Sequence, residues 1–212
     1  MSRRLMIFVV SAFLLLMYPK DASSQSVSIV PNAGISKDMR SETSNRWNMG
    51  FNLGLNIFFK TSEILSVGGR LAYHSWGADG DGWAKDYVGS SIGSYTVDQT
   101  SGSQSVLEFV PSLKIALAGD GSPVKLDIQA GPALVIVGSS EVKISGRFSS
   151  SFSSGQGSVT FTNGSMTGFG LQAGLPISIS DFVQVLPLYT LYWADGDAYH
   201  HITIDVGIIL GK

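Results

Sequence analysis

The segment Trp47–Phe59 alternates strictly between two kinds of side chain, and this alternation constrains the fold more than any other feature of the chain. Its odd positions are all large and apolar, whereas its even positions, apart from Phe58, are glycine or asparagine. Successive side chains of a β-strand point to opposite faces, so the pattern predicts a strand with one apolar face and one polar or small-residue face.

Seven further segments show a similar alternation, and no part of the chain after the N-terminus has convincing helical periodicity. The eight predicted strands cover residues 28–36, 47–59, 65–76, 107–115, 125–136, 168–177, 183–193 and 202–208. Each is close to the roughly ten residues that a tilted strand needs to cross a bilayer.

Charged residues appear on only one of the two faces of these strands. The chain contains only 14% charged residues, against about 25% in an ordinary soluble domain. A soluble barrel would turn its polar face outward, whereas a barrel in lipid turns its apolar face outward and must close to leave no free edge. The sequence therefore predicts an all-β fold, an eight-stranded antiparallel up-and-down transmembrane β-barrel.

The predicted connections alternate in length, which supports the same topology. Short turns join some strands, at 60–63, 118–123 and 180–181, and longer loops join the others, at about 37–46, 77–102, 139–165 and 194–200. Short periplasmic turns and longer outer loops are typical of bacterial outer-membrane barrels. Against this regularity, five prolines fall inside predicted strands, where we expect bulges or kinks: Pro31, Pro111, Pro132, Pro176 and Pro187.

The N-terminus has the composition of a secretory signal peptide. Arg3 and Arg4 precede an apolar stretch from Leu5 to Met17, and the small residues Ala22–Ser24 suit a cleavage site. We therefore expect a cleaved signal at 1–24 and one barrel domain at 25–212. Because the chain has no cysteine, disulfides and an N-terminal lipid anchor are excluded, and a net charge of -2 gives no basic surface for nucleic acid.

Three strands carry a likeness to a known family. They are WNMGFNLGLNIFF at 47–59, LDIQAGPALVI at 126–136 and GFGLQAGLPISIS at 168–180. In these strands and in overall pattern over roughly 26–210, the chain resembles the small outer-membrane β-barrel proteins of the OmpX and OmpA-transmembrane-domain type, a porin-like family. The resemblance implies an integral outer-membrane location, and it leaves function open, because this family includes structural proteins, adhesins and lipid-modifying enzymes.

The polar faces of the strands predict a network of side chains inside the barrel. An eight-stranded barrel is just wide enough for side chains to fill it, so we expect a salt-bridged lumen and weigh a narrow ion path as the alternative. His74 and Gln172 would extend this network. Its predicted members are Arg70, His74, Glu108, Lys114, Lys125, Asp127 and Asp205.

Two acidic tetrapeptides follow aromatic clusters at the predicted outer ends of strands three and seven. Their carboxylates, Asp79, Asp81, Asp195 and Asp197, resemble half of a Ca²⁺ loop, although Asp-Gly pairs also simply form turns. The nearby aromatics are expected to form a girdle at the membrane interface. We assign to it Trp47, Tyr73, Trp76, Tyr189, Tyr192 and Trp193.

No catalytic motif is recognisable in the chain. His200 and His201 with the loop serines leave a hydrolase on the barrel rim conceivable, but no nucleophile elbow accompanies them. The region 139–165 is rich in serine and glycine and is either a loop or an extension of two strands into a hairpin suited to adhesion.

The leading functional hypothesis is a structural or interaction protein of the outer membrane. Its expected partners are lipopolysaccharide and, at the outer loops, another protein, with no cofactor beyond the Ca²⁺ hypothesis. The alternatives are a small ion or solute pore, a lipid-A-modifying enzyme, and a secreted soluble barrel that carries an apolar ligand.

Overall fold

Two β-sheets and one short helix make up the fold in a computed structural model of the chain, which describes residues 26–39, 46–88, 94–117, 124–149 and 154–210. The predicted signal peptide at 1–24 lies outside these residues. In chain order the elements are β1 (Val27–Asp38), β2 (Gly50–Lys60), β3 (Leu65–Gly77), α1 (Gly80–Val88), β4 (Ser94–Ser101), β5 (Ser103–Ala116), β6 (Lys125–Val137), β7 (Ser140–Ser149), β8 (Ser154–Asn163), β9 (Met166–Gly174), β10 (Ile177–Ser178), β11 (Val183–Ala194) and β12 (Asp197–Ile208).

The larger sheet closes into a barrel with eight strand positions. Its order is β12, β1, β2, β3, β5, β6, then β9 with the short β10, and finally β11, which pairs with β12 again. Every neighbouring pair is antiparallel. The predicted eight-stranded antiparallel up-and-down barrel is therefore confirmed.

The outer surface of the barrel is apolar in the middle of the strands. Outward positions carry large side chains that are substantially exposed, among them Phe51, Leu53, Leu71, Phe109, Ile136, Leu171 and Ile204. Inward positions on the same strands are buried and mostly polar or small, such as Asn52, Asn56 and Thr203. A continuous exposed apolar belt over a polar interior is the arrangement of a barrel that crosses a membrane.

Three of the five prolines coincide with interruptions in strand pairing, whereas Pro31 and Pro187 lie in continuous registers with β2 and β12 and cause no bulge there. Pairing between β5 and β6 stops after Phe109 and resumes at Leu113 in the same register. Pro111 and Pro132 lie opposite each other in this interruption, so the two strands lose their ladder bonds at one place instead of two. Pro176 lies between β9 and β10, where the sixth predicted strand is broken into two pieces.

The second sheet was only partly expected. The hairpin of β7 and β8 occupies the serine-rich region, as one of the two sequence interpretations had it, and β4 adds a third strand next to β7. The helix α1 packs against β4 and β7. We call β4, β7, β8 and α1 the cap, the barrel end beside them the cap end, and the opposite end, with the turns 61–64 and 179–182, the turn end.

One predicted outer loop is absent. The chain was expected to form a longer connection at 194–200, but β11 and β12 pair up to Ala194–Asp197 and are joined by the two-residue turn Asp195–Gly196. Both turn residues have positive φ, 51° and 90°, which is the backbone that Asp-Gly favours in tight hairpins. Within the described residues, no helix has the length and apolar character that a membrane crossing needs.

Candidate functional site: a closed polar cluster in the barrel

Seven polar side chains from five strands meet in the middle of the barrel. We call this group the central cluster: Arg70, His74, Glu108, Gln172, Thr190, His201 and Asp205. They come from β3, β5, β9, β11 and β12, and each is on the inward face of its strand because it alternates with outward apolar neighbours. All seven are essentially buried.

Glu108 is the acceptor at the centre of the cluster. Arg70 Nη1 donates to its Oε2 at 2.8 Å, and Gln172 Nε2 and Thr190 Oγ1 donate to its Oε1 at 3.0 and 2.8 Å. His74 Nε2 lies 3.3 Å from the same Oε2. With this many donors, the buried carboxylate is held in one orientation.

Arg70 carries the cluster across the lumen to the opposite wall. Its Nη2 donates to Asp205 Oδ2 at 2.9 Å, while Nη1 binds Glu108. The strand that bears Asp205, β12, is separated from β5, which bears Glu108, by β1, β2 and β3, so the two carboxylates come from opposite walls of the eight-position barrel. One guanidinium therefore joins these two walls.

Aromatic rings form the next layer toward the cap end. Trp76 stacks on His74 at 5.6 Å between ring centroids and donates from Nε1 to the Ser36 carbonyl at 3.1 Å. Tyr192 stacks on Tyr199 at 5.3 Å. This layer continues without a break into the apolar core of the cap, which includes Trp47, Trp83, Val142 and Ile144.

The turn end of the lumen is more open and basic. A cavity of about 360 Å³ is lined there by serines and by Lys60, Lys114 and Lys125. Lys114 pairs with Asp127 at 3.7 Å, and Lys125 pairs with Asp181 at 3.6 Å. The Lys114 ammonium also lies 4.8 Å from the centre of the Phe58 ring.

The predicted lumen residues thus separate into two groups. Arg70, His74, Glu108 and Asp205 meet in the central cluster, with Gln172, while the lysines and Asp127 lie near the turn end. His201 and Thr190 were missed. His201 lies on the same face of β12 as Asp205. Extending the eighth predicted strand by one residue toward the N-terminus would have placed His201 inside the barrel.

The predicted aromatic girdle is wrong for half of its members. Tyr73, Tyr189 and Trp193 face outward with exposed rings. Trp76 and Tyr192 have the opposite parity on their strands and are buried in the lumen, and Trp47 packs edge-on against Trp83 at 5.5 Å in the cap core. Proximity to a strand end suggested an interface position, but the alternation of side chains decided the face.

The four predicted metal-ligating aspartates lie at a helix N-terminus and at a hairpin turn. Asp79 caps α1, because its Oδ1 accepts from the backbone N–H groups of Asp81 and Gly82 at 3.1 and 3.2 Å. Asp195 and Asp197 lie in and after the turn between β11 and β12. Cation binding at these loops stays a prediction.

Replacing Asp79 with alanine is expected to loosen α1 without disturbing the barrel. Loss of an N-cap acceptor costs about 1 kcal/mol, which corresponds to roughly fivefold faster amide hydrogen exchange within α1. Asp79→Asn is the matched control, since asparagine caps as well as aspartate. Unchanged exchange in Asp79→Ala would show that the cap does not hold this helix.

The two adjacent histidines, considered together from the sequence for a rim hydrolase, point to opposite faces of β12. His200 faces outward, with Nδ1 3.1 Å from the Tyr189 hydroxyl. His201 faces the lumen and its ring lies 4.8 Å from that of His74. The two imidazoles cannot serve one site.

Comparison with known proteins finds similarity in solved structures alone. No protein-family model matches the chain, and no curated protein sequence matches it. Ail, the attachment invasion locus protein of Yersinia pestis, is 14% identical with a TM-score of 0.42, over 88% of this chain and 97% of that one. A major outer membrane protein of Thermus thermophilus is 11% identical with a TM-score of 0.43, over 88% and 99%.

Neisserial surface protein A is similar at 13% identity and a TM-score of 0.40, over 88% of this chain and 99% of that one. The likeness to small outer-membrane barrels drawn from the sequence agrees with the closed eight-stranded antiparallel barrel that the chain forms.

Proposed function

We propose that the chain is an exported outer-membrane protein that acts as a closed scaffold and holds its cap at the cell surface. Its exposed apolar belt suits a lipid environment, and outer-membrane barrels keep their larger connections outside. The cap would then meet lipopolysaccharide or a protein partner.

The observation that carries this proposal is the layer formed by the central cluster. Arg70, Glu108 and Asp205 are fully buried and span the lumen between opposite walls. An ion crossing this layer would have to displace charge-assisted hydrogen bonds between buried side chains. The closed layer therefore favours a scaffold over the pore that the sequence left as an alternative.

The cap has the features of an interaction surface. Its core is continuous with the aromatic layer of the barrel, and within the cap Trp83 of α1 packs on Phe161 of β8 at 5.0 Å between ring centroids. In the three-stranded sheet, β4 and β8 are the edge strands. Exposed strand edges are suited to pairing with a strand of another protein.

Conductance across a planar lipid bilayer tests the closed-scaffold proposal. We expect the inserted wild-type protein to show no single-channel steps, because the central cluster fills the lumen. A triple variant, Arg70→Ala with Glu108→Ala and Asp205→Ala, removes the ion pairs across the lumen but keeps the aromatic layer of Trp76 and Tyr192, so we expect it to show small steps at most. Insertion is verified in both by the change in gel mobility on boiling in SDS. Steps from the wild-type protein equal to those of the triple variant would overturn the proposal.

A further inference from the structure

Two histidines and a carboxylate of the central cluster lie close together, and one of the histidines has no hydrogen-bond partner in the part of the chain that the structure describes. His201 is 1% exposed, and neither of its ring nitrogens has a hydrogen-bond partner among the described residues. Its Nε2 lies 3.9 Å from Glu108 Oε2, too far for a hydrogen bond. Buried polar groups almost always have a partner, so this imidazole needs an explanation.

The three side chains face a common point. His74 Nε2 lies 3.3 Å from Glu108 Oε2, and the candidate ligand atoms of His74, Glu108 and His201 all lie within 4.8 Å of one another. Zinc binds nitrogen at about 2.0–2.1 Å in a tetrahedral arrangement, which separates two of its ligand atoms by roughly 3.3 Å. Small rotations of the two imidazoles would bring all three atoms to that spacing.

The charges of the cluster also favour a cation. The guanidinium of Arg70 faces two carboxylates, Glu108 and Asp205, which leaves one negative charge uncompensated among these three groups when the imidazoles are neutral. Arg70 uses one lone pair of Glu108 Oε2, and a carboxylate oxygen has a second. A metal at the common point would replace only the 3.3 Å contact with His74.

The set of donor atoms selects the class of metal. Two imidazole nitrogens and one carboxylate oxygen suit Zn²⁺ and related divalent transition metals, whereas Ca²⁺ and Mg²⁺ prefer oxygen alone. The chain has three histidines and no cysteine. Histidine-based binding of a transition metal therefore depends on His74, His201 and the outward-facing His200.

We propose that the barrel lumen holds one divalent transition metal ion of the Zn²⁺ class, bound by His74 Nε2, His201 Nε2 and Glu108 Oε2. Such an ion links β3 and β5 to β12, on opposite walls of the barrel, and so reinforces the layer that Arg70 completes. Because the ligands are buried, the metal enters during folding. This site is separate from the acidic loops at the cap end, and it does not depend on which partner the cap binds.

Refolding of the signal-free chain, residues 25–212, into detergent with Zn²⁺ tests the site. After removal of free metal, we expect about one zinc per folded chain by elemental mass spectrometry. Refolding with Co²⁺ should give the visible absorption of a tetrahedral nitrogen and oxygen site. His201→Gln and His74→Gln are each expected to weaken binding more than about 100-fold, since even loss of an outer partner costs 10–100-fold.

His200→Gln is the matched control, because it removes the neighbouring imidazole from the outward face and should keep the full zinc content. Folding of each variant is followed by gel mobility with and without boiling. If a lumen variant does not fold, the metal content and the cobalt spectrum of the wild-type protein are sufficient to test the proposed site. A folded wild-type protein without zinc, or equal loss of zinc in His200→Gln and His201→Gln, would overturn the proposal.

Discussion

Replacing Glu108 with alanine is expected to lower the free energy of unfolding by about 3–5 kcal/mol, the usual cost of removing one partner of a buried ion pair. The substitution leaves Arg70 with Asp205 alone and takes the acceptor from Gln172 and Thr190. Urea titration of the protein in lipid vesicles with chelator present measures the change without any contribution from bound metal.

Glu63→Ala is the control for the Glu108 prediction, since Glu63 is exposed in the turn between β2 and β3. Its effect should stay within about 0.5 kcal/mol. Equal urea midpoints for Glu108→Ala and the wild-type protein would mean that the central cluster adds nothing to stability, and the closed layer would lose its structural role.

Introducing arginine at Leu71 is expected to cost about 2–4 kcal/mol in a bilayer, the cost of a basic residue on the lipid face near the midplane. Leu71 lies at the middle of β3, faces outward and is 49% exposed. Its flanking partners are Leu55 and Phe109, so an arginine there would have only apolar neighbours across both strand pairs.

Thr162→Arg provides the comparison on a surface in water. Thr162 is exposed on β8 of the cap and lies opposite Glu141, so its replacement should change stability by no more than about 0.5 kcal/mol. If Leu71→Arg refolds and unfolds like the wild-type protein, the apolar belt does not contact lipid and the chain is a soluble barrel.

The strands of the barrel could be predicted from the sequence because their outer face meets a uniform environment. Lipid demands an apolar side chain at every second residue, so the alternation is visible in β2 and β12 without knowledge of any partner. The cap strands have no face in lipid, so their sequences need not alternate between apolar and polar residues. Of these, β4 was not predicted, and β7 and β8 were only one of two interpretations.

The central cluster was predictable in its membership more than in its arrangement. Arg70, Glu108 and Asp205 are identified by parity alone, since each alternates with apolar neighbours. Whether these side chains contact one another depends on the stagger of the strands in the closed barrel, because the stagger decides which inward positions lie at the same level along the barrel axis. Lys114 and Asp127 share the same parity but lie at another level, near the turn end.

By itself the sequence determined that the chain forms eight membrane-length strands and which face of each is apolar, because these properties are local and repeat every two residues. Only the tertiary structure decided which inward side chains touch, that Trp47, Trp76 and Tyr192 are interior, and that His201 faces Glu108 while His200 does not. Contacts across a lumen join residues far apart in the chain, and their pairing depends on barrel closure and register, which no local pattern encodes.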